Sequence, residues 1–236
     1  DINITYSSIA RDYLLNEGLH PDRTIKIGSP MYEVLNSHLD SINNSKILKK
    51  LKLTASKYFL VSCHREENVD NDKNFKMLVD SLNQLAEIFK MPIIFPVHPR
   101  TKKKYVNSKL KVNDLVSLIE PLGFIDYNKL QIESFVVLSD SGTIFEESSI
   151  LNFRALNIRE SHERPEAVEE TSVLVTGLNI DRIIQGIKMI ENQTTGNKRN
   201  ISLVSDYNTP NVSLKIERII LSHIDFVNRV VWQKES

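Results

Sequence analysis

The stretch FVVLSDSGTIFEESSILNFRALNI, residues 135–158, decides the fold. It begins with an apolar run, passes through a glycine-containing turn into an amphipathic segment, and returns to a second apolar run. Strand, helix and strand in that order form a βαβ unit with parallel strands. The first run is apolar at successive positions, which is typical of a strand covered by helices on both faces. The stretch therefore predicts an α/β fold: a Rossmann-like parallel sheet with helices on both faces.

The same alternation extends along the rest of the chain. It predicts strands at residues 3–6, 24–27, 58–62, 93–97, 116–119, 135–139, 155–158 and 173–175. It predicts helices at residues 9–17, 31–51, 72–89, 127–133, 144–151, 180–191 and 212–230. The polar, turn-rich residues 192–211 are predicted as a loop that leads to the last helix.

Composition excludes several classes of function. The 30 basic residues balance the 30 acidic ones, so the chain lacks the long-range field that attracts nucleic acid or anionic lipid. Cys63 is the only cysteine, which rules out an internal disulfide and favours a reducing cytoplasm. No apolar run approaches the ~20 residues of a membrane span. The histidines lack zinc-helix spacing and there is no glycine-rich nucleotide loop, so we expect no metal and no cofactor.

Polar clusters follow four of the predicted strands. Ligands of doubly wound folds bind at the carboxyl ends of strands, so these junctions are where chemistry is expected. The clusters are SCHREEN (62–68), VHPRT (97–101), SDSGTIFEE (139–147) and NIRESHERPE (157–166).

The SDSG turn comes between a buried strand and a helix. Ser141 and Gly142 would present backbone N–H groups and a hydroxyl at a helix N-terminus, which favours phosphate. Glu146 and Glu147 lie early in that helix. One of them should face the same cleft and accept hydrogen bonds from a ribose. The alternative is structural: Ser and Asp cap the helix, and the two glutamates complement its dipole.

The HREEN cluster combines an imidazole, a guanidinium and carboxylates. His64 and Arg65 can both donate to phosphate oxygens, and a histidine can also move a proton. The alternative is a polar loop with a surface salt bridge. For His98 and Arg100 we favour a structural role. Arg164, held extended by the proline after it, could reach the same phosphates.

HREEN, HPRT, SDSGTIFEE and ESHERPEAVE, in this order, resemble motifs of the non-hydrolysing UDP-N-acetylglucosamine 2-epimerase family, whose fold is GT-B-like. The resemblance covers nearly the whole chain. Within the family, the chain looks most similar to the capsule and O-antigen subgroup that forms UDP-N-acetyl-L-fucosamine. The resemblance implies the C-terminal half of a two-domain GT-B-like fold.

The resemblance also implies a reaction, in which C2 of a UDP-2-acetamido sugar is inverted. A base removes the C2 proton, UDP leaves to give a 2-acetamidoglycal, and UDP adds back after reprotonation on the other face. By resemblance His64 is catalytic and contacts the diphosphate. The implied substrate-binding residues are Arg65, Glu67, Asn68, Tyr127 (uracil), Ser141 and Gly142 (diphosphate), Glu146, Glu147 (ribose) and Arg164 (phosphate side).

Three positions depart from the commoner family pattern. Thr143 replaces a second glycine, Phe145 is bulky beside the cleft and could alter sugar selection, and Arg154 stands where a proline is usual.

The resemblance implies an organisation in which residues 1–30 are an inter-domain segment and residues 31–210 bind UDP. Residues 211–236 would cross back to an N-terminal domain that carries the proton-moving acids. The chain begins at Asp1 without a methionine, which suggests a fragment. The resemblance implies that such a fragment is inactive without the N-terminal domain and that the full-length protein is a homodimer. The alternatives are a hydrolysing 2-epimerase, a GT-B glycosyltransferase, or a non-catalytic UDP-sugar-binding module.

Overall fold

A computed structural model describes residues 1–108, 110–160 and 164–234. Within these residues, eight parallel strands form two sheets. The strands are β1 (Asn3–Thr5), β2 (Thr24–Lys26), β3 (Phe59–Ser62), β4 (Ile93–Pro96), β5 (Val116–Ile119), β6 (Val136–Ser139), β7 (Ala155–Asn157) and β8 (Leu174–Val175). β1 pairs only with β2, and the other six form one sheet in the order β5-β4-β3-β6-β7-β8. The predicted α/β class and all eight predicted strands are confirmed.

Eleven α-helices connect these strands in the described residues. They are α1 (Ser8–Asn16), α2 (Met31–Asn44), α3 (Ile47–Lys50), α4 (Glu66–Val69), α5 (Asp72–Phe89), α6 (Pro99–Ser108), α7 (Phe124–Glu133), α8 (Ile144–Leu151), α9 (Pro165–Glu169), α10 (Ile180–Ile190) and α11 (Val212–Phe226). A π-helical turn, Val227–Val231, follows α11, and short 3-10 helices lie at Pro21–Arg23 and Ser205–Tyr207. The last of these interrupts the loop predicted for residues 192–211.

The helix predicted for residues 31–51 is wrong, because the structure divides it into α2 and α3. Ser45 is extended at the break, with ψ 138°. Its hydroxyl accepts from the Ile47 backbone N–H at 3.2 Å and donates to the Asp126 carboxylate at 2.6 Å. Ser45 is the C-cap of α2, and its bond to the Ile47 N–H turns the chain into α3, whose N-cap is Lys46. The apolar spacing continues through the break and concealed it.

Helices α4, α6 and α9 were not predicted. α4 and α9 have four and five residues, too few for a periodic pattern. α6, with the sequence PRTKKKYVNS, is longer, but it has almost no apolar residues and so no apolar stripe.

Helices cover both faces of the six-stranded sheet. On one face, Phe59 and Val61 of β3 pack with Leu78 and Leu82 of α5. On the other face, Leu60 packs in a cluster that includes side chains of α3, α7 and α8. Successive strand residues point to opposite faces, which is why an unbroken apolar run predicted a doubly covered sheet.

The order of the strands creates a crevice at the centre of the sheet. From β3 the chain moves to β4 and β5 on one side, and then crosses to β6, β7 and β8 on the other. The loops after β3 and β6 therefore leave neighbouring strands in opposite directions, which opens a ligand-binding crevice at their carboxyl ends. Ser62 pairs in register with Ser139, so the residues that follow each of them start at the same level.

The N-terminal segment attaches to this domain through buried polar contacts. The Ser7 hydroxyl donates to the Glu166 carboxylate at 3.1 Å, and the Tyr207 hydroxyl donates to it at 2.8 Å. α11 lies beside β1, and the two border an apolar groove of about 500 Å³.

The proposed boundaries at residues 30 and 210 stay predictions. No helix within the described ranges is both long and apolar enough to cross a membrane.

Candidate functional site

A buried carboxylate, Asp140, joins the two loops that border the crevice. It follows β6 and its side chain is fully buried. Oδ2 accepts from the backbone N–H groups of His64 at 3.1 Å and Arg65 at 2.9 Å, from Asn68 Nδ2 at 3.1 Å and from Cys63 Sγ at 3.2 Å. Oδ1 accepts from the His64 backbone N–H at 3.2 Å and lies 3.4 Å from His64 Nδ1. Asp140 thereby fixes the loop after β3 against the turn after β6.

The crevice holds the His64 imidazole at its exposed edge. Its side chain is 59% exposed while the carboxylate beneath it is fully buried. Burial, with the neighbouring Asp140 carboxylate adding to it, raises the pKa of the Cys63 thiol well above its usual value. The thiol beside His64 is therefore protonated at neutral pH and is no nucleophile.

The turn after β6 is fixed at the start of α8 by hydrogen bonds within the turn. The Ser141 N–H donates to Ser139 Oγ at 3.1 Å, and the Thr143 N–H donates to Ser141 Oγ at 3.3 Å. Asn157 of β7 donates to the Ser141 carbonyl at 3.2 Å and holds the turn from the other side. Asp140 does not cap α8, and Thr143 makes no side-chain cap. The helix-cap alternative is thus wrong for Asp140, although Ser141 does accept from the Thr143 N–H.

Glu147 lies in the crevice with Gln131 and Tyr127 of α7. It is half-buried, and its Oε2 accepts from Gln131 Nε2 at 2.6 Å. Burial raises the pKa of the Glu147 carboxyl, and the hydrogen bonds from Gln131 and Thr143 offset part of this rise. Burial, with the Glu147 carboxylate adding to it, raises the pKa of the Tyr127 hydroxyl, and the neighbouring Ser62 and Gln131 side chains offset part of the rise. These contacts place Tyr127 between the end of β3 and Glu147.

Glu146 points away from this group of residues. It is 2% exposed and accepts from the Ser29 hydroxyl at 3.0 Å. Arg164 Nε lies 3.6 Å from its Oε2 and the guanidinium lies over the Tyr6 ring. Burial raises the pKa of the Glu146 carboxyl, and Arg164 and Ser29 oppose the rise. Of the two adjacent glutamates, the geometry therefore favours Glu147 for the crevice, and Glu146 and Arg164 connect α8 and α9 to the N-terminal segment.

The remaining predicted residues lie around the crevice in different roles. Glu67 is half exposed and its carboxylate meets Arg159 Nε, from the loop after β7, at 3.1 Å. Asn68 is buried and faces Asp140. His98 is exposed just before α6, and the Arg100 side chain lies outside what the structure describes. Residues 161–163 of the ESHERPE motif also lie outside the described residues.

The arrangement suits an anionic ligand with a hydroxylated group beside it. Backbone N–H groups and the positive end of the α8 dipole favour phosphate oxygens. His64 can donate a charge-assisted hydrogen bond to them, and Glu147 can accept from hydroxyl groups. Sequence reasoning missed Asp140 and Gln131 as organisers of the site. The available signal for Asp140 was a carboxylate directly after the strand VVLS, which is apolar except for its last residue, because such a position is buried and a buried charge needs partners.

The amino-acid sequence matches the family model described as UDP-N-acetylglucosamine 2-epimerase over residues 1–221. A UDP-N-acetylglucosamine 2-epimerase from Methanocaldococcus jannaschii is 31% identical over 194 residues, which are 79% of this chain and 53% of that protein. The chain thus spans about half the length of the curated relatives it matches.

Two solved structures are similar over almost the whole chain. The UDP-N-acetylglucosamine 2-epimerase from Rickettsia bellii is 45% identical with a TM-score of 0.93, and the match covers 99% of this chain and 62% of that one. The Methanocaldococcus jannaschii enzyme, solved in complex with UDP-GlcNAc and UDP, is 29% identical with a TM-score of 0.83, and the match covers 94% and 61%. Motifs, fold and these matches agree, and the chain belongs to the UDP-N-acetylglucosamine 2-epimerase family.

Proposed function

We propose that this chain is the UDP-binding part of a UDP-2-acetamido-sugar 2-epimerase. The observation that carries the proposal is the crevice between β3 and β6. His64, the turn at the start of α8 and the Glu147 carboxylate all lie at this crevice. A relative with the same fold has been solved with UDP-GlcNAc and UDP, which supports a UDP-sugar as the ligand.

In the proposed complex the diphosphate lies on the turn formed by residues 141–143, with His64 beside it. Glu147 accepts hydrogen bonds from the ribose hydroxyls, and Tyr127 lies near the uracil. Arg65, Glu67 and Asn68 complete the loop that carries His64. Glu146 and Arg164, which bind each other, act on the site through the packing of α8 and α9.

We propose C2 inversion through elimination and re-addition of UDP, with no metal and no cofactor. The C2–H and C1–O bonds break, a 2-acetamidoglycal forms, and UDP adds back after C2 is reprotonated on the opposite face. As charge grows on the departing diphosphate, His64 and the turn stabilise it. The resemblance assigns the acids that move the C2 proton to residues outside these 236, so we expect no C2 exchange from the chain alone.

The finer assignments are proposals as well. We propose a cytoplasmic homodimer that supplies precursors for capsule or O-antigen polysaccharide, in the subgroup that forms UDP-N-acetyl-L-fucosamine. The sequence suggested Phe145 beside the cleft, but this side chain is 1% exposed and packs in the core cluster with Leu60 and Leu130, so it does not line the cleft.

One NMR sample tests the proposed function. The chain is placed in D2O with UDP-N-acetylglucosamine, and saturation transfer to the uridine and deuterium at C2 are recorded together. We expect transfer to the uridine protons without deuterium at C2. Absence of transfer would contradict UDP binding, and deuterium at C2 would place the proton-moving groups within these residues. Release of free sugar would instead indicate the hydrolysing alternative.

A further inference from the structure

We propose that Asp140 is a positioning residue that fixes the tautomer of His64, with the proton on Nδ1 and the lone pair of Nε2 directed at the crevice. The proposal deepens the proposed function, since it defines how His64 is prepared to meet a diphosphate. The assignment of the His64 tautomer does not depend on which ligand binds.

The two oxygens of Asp140 have different environments. Oδ2 is surrounded by donors whose hydrogens are fixed by the covalent structure: the N–H groups of His64 and Arg65 and the amide of Asn68. Oδ1 faces only the His64 residue, through its backbone N–H at 3.2 Å and its Nδ1 at 3.4 Å. Two contacts of the carboxylate have a donor state that can change: the imidazole, and the Cys63 thiol, which donates to Oδ2 at 3.2 Å. Burial raises the pKa of the thiol and keeps it protonated, so the imidazole is the contact that responds.

A carboxylate can only accept hydrogen bonds, so it favours the tautomer that carries a proton on the nearer nitrogen. At 3.4 Å the contact is longer than an ordinary N–H···O bond. The pair lies at ion-pair distance without hydrogen-bond alignment in the free protein, and contacts at catalytic sites are often long or poorly aligned until the ligand binds.

The proposal predicts that Asp140→Asn moves the His64 proton from Nδ1 to Nε2. The amide oxygen should take the Oδ2 position, because most of the fixed donors point there. The amide NH₂ group then occupies the Oδ1 position and donates to His64 Nδ1. That nitrogen must become the acceptor, so the proton moves to Nε2.

The experiment is long-range ¹H–¹⁵N NMR on the histidine-labelled chain without ligand, with the imidazole in its neutral form. His64 is assigned by its absence from the spectrum of His64→Gln. We expect the Nδ1–H tautomer in the wild type and the Nε2–H tautomer in Asp140→Asn. Glu166→Gln is the matched control, since it also neutralises a buried, hydrogen-bonded carboxylate, and it should leave the His64 tautomer unchanged.

UDP titration of the same samples supplies the second readout. Asp140→Asn should weaken UDP binding about tenfold, because the carboxylate holds the loop that carries His64 and Arg65 against the turn after β6, and Glu166→Gln should change it less than about twofold. A wild-type His64 protonated on Nε2 overturns the proposal even if Asp140→Asn does not fold. An Asp140→Asn variant with wild-type tautomer and UDP affinity overturns it as well. A wild type that binds no UDP overturns only the proposed function, because the tautomer is read without UDP.

Discussion

Glu147→Gln should make the free protein more stable while it weakens UDP binding. The Glu147 carboxylate is half-buried, and burial raises its pKa, so its ionised form destabilises the fold at neutral pH. Its neighbour Gln131 is fully buried, donates to Glu147 through Nε2, and has no hydrogen-bond partner for Oε1 among the described residues. An ionised carboxylate cannot donate to that oxygen.

In Glu147→Gln the new side chain has the same shape as glutamate. It can pair with both the Nε2 donor and the Oε1 acceptor of Gln131. Its Oε1 would accept from Gln131 Nε2, and its Nε2 would donate to the unpaired Gln131 Oε1. A buried acceptor without a partner costs about 1–3 kcal/mol, so we expect a gain of about 1–2 kcal/mol in the free energy of unfolding. For a chain of this size that gain corresponds to a rise in Tm of about 2–8 °C.

The gain should depend on pH in a defined direction. A carboxyl whose folded-state pKa is raised binds more protons in the native state than in the unfolded state, so stability falls as pH rises through the window between the two pKa values. Below the ordinary value of 4.5 the carboxyl is protonated in both states and can itself donate to Gln131 Oε1. The difference between Glu147→Gln and wild type should therefore be small near that pH and largest above the raised pKa.

Urea unfolding of both proteins across this pH range measures the effect, and UDP titration at neutral pH measures the cost to binding. Replacing a charged acceptor by an amide should weaken UDP binding by about 1–2 kcal/mol, or roughly 5- to 30-fold. Glu87→Gln, which changes an exposed glutamate of α5, is the control and should alter neither quantity. A Glu147→Gln protein that is less stable than wild type at neutral pH would refute the claim that the unpaired Gln131 Oε1 and the buried Glu147 carboxylate destabilise the wild type.

Three further predictions concern the packing that supports the crevice. Gly28→Ala should lower stability by about 2–4 kcal/mol, because the added Cβ combines positive-φ strain with a clash against Thr209 Oγ1. Gly18→Ala, at the same φ of 91° but with no atom within 4 Å, should cost less in the same urea titration. Tyr58→Phe should cost about 1–3 kcal/mol, as it removes the buried donor to the Leu130 carbonyl, and a Tm equal to that of wild type would contradict this. Ser29→Ala removes a donor to buried Glu146, so it should destabilise by about 1–3 kcal/mol at neutral pH; a loss as large at acid pH, where Glu146 is protonated, would argue against the ionised pair.

The central strands were predictable because nearly all of their residues are buried. β3 and β6 are covered on both faces, so each reads as a short apolar run with polar residues at its ends. The helices were less predictable wherever one side-chain hydrogen bond decided the chain path. Ser45 ends α2 and begins α3 through contacts with Ile47 and Asp126, and the second of these is 81 positions away in sequence.

The position of the site followed from topology, but its internal connections did not. Strand-end clusters located His64, Ser141 and Glu147 because ligands of doubly wound sheets bind at that edge. Asp140 was interpreted as a possible cap because a turn residue before a helix has that role most often. Its actual partners come from the loop after β3, and only the parallel pairing of Ser62 with Ser139 brings that loop into reach.

The adjacent glutamates of α8 show what helical periodicity can and cannot predict about a binding site. Successive residues of an α-helix point about 100° apart, so two neighbours at the start of α8 must face different surroundings. Periodicity therefore required that the pair divide between two environments, but it could not say which residue met the crevice. That depends on Gln131 on one side and on Ser29 and Arg164 on the other, which lie 16, 117 and 18 positions away along the chain. Because both carboxyls have raised pKa values with burial as the main cause, the pKa shift alone does not identify the ligand-binding residue. The partners identify it: Glu146 is 2% exposed and bound to Ser29 and Arg164, whereas Glu147 keeps an exposed edge beside Tyr127, where a ligand can reach it.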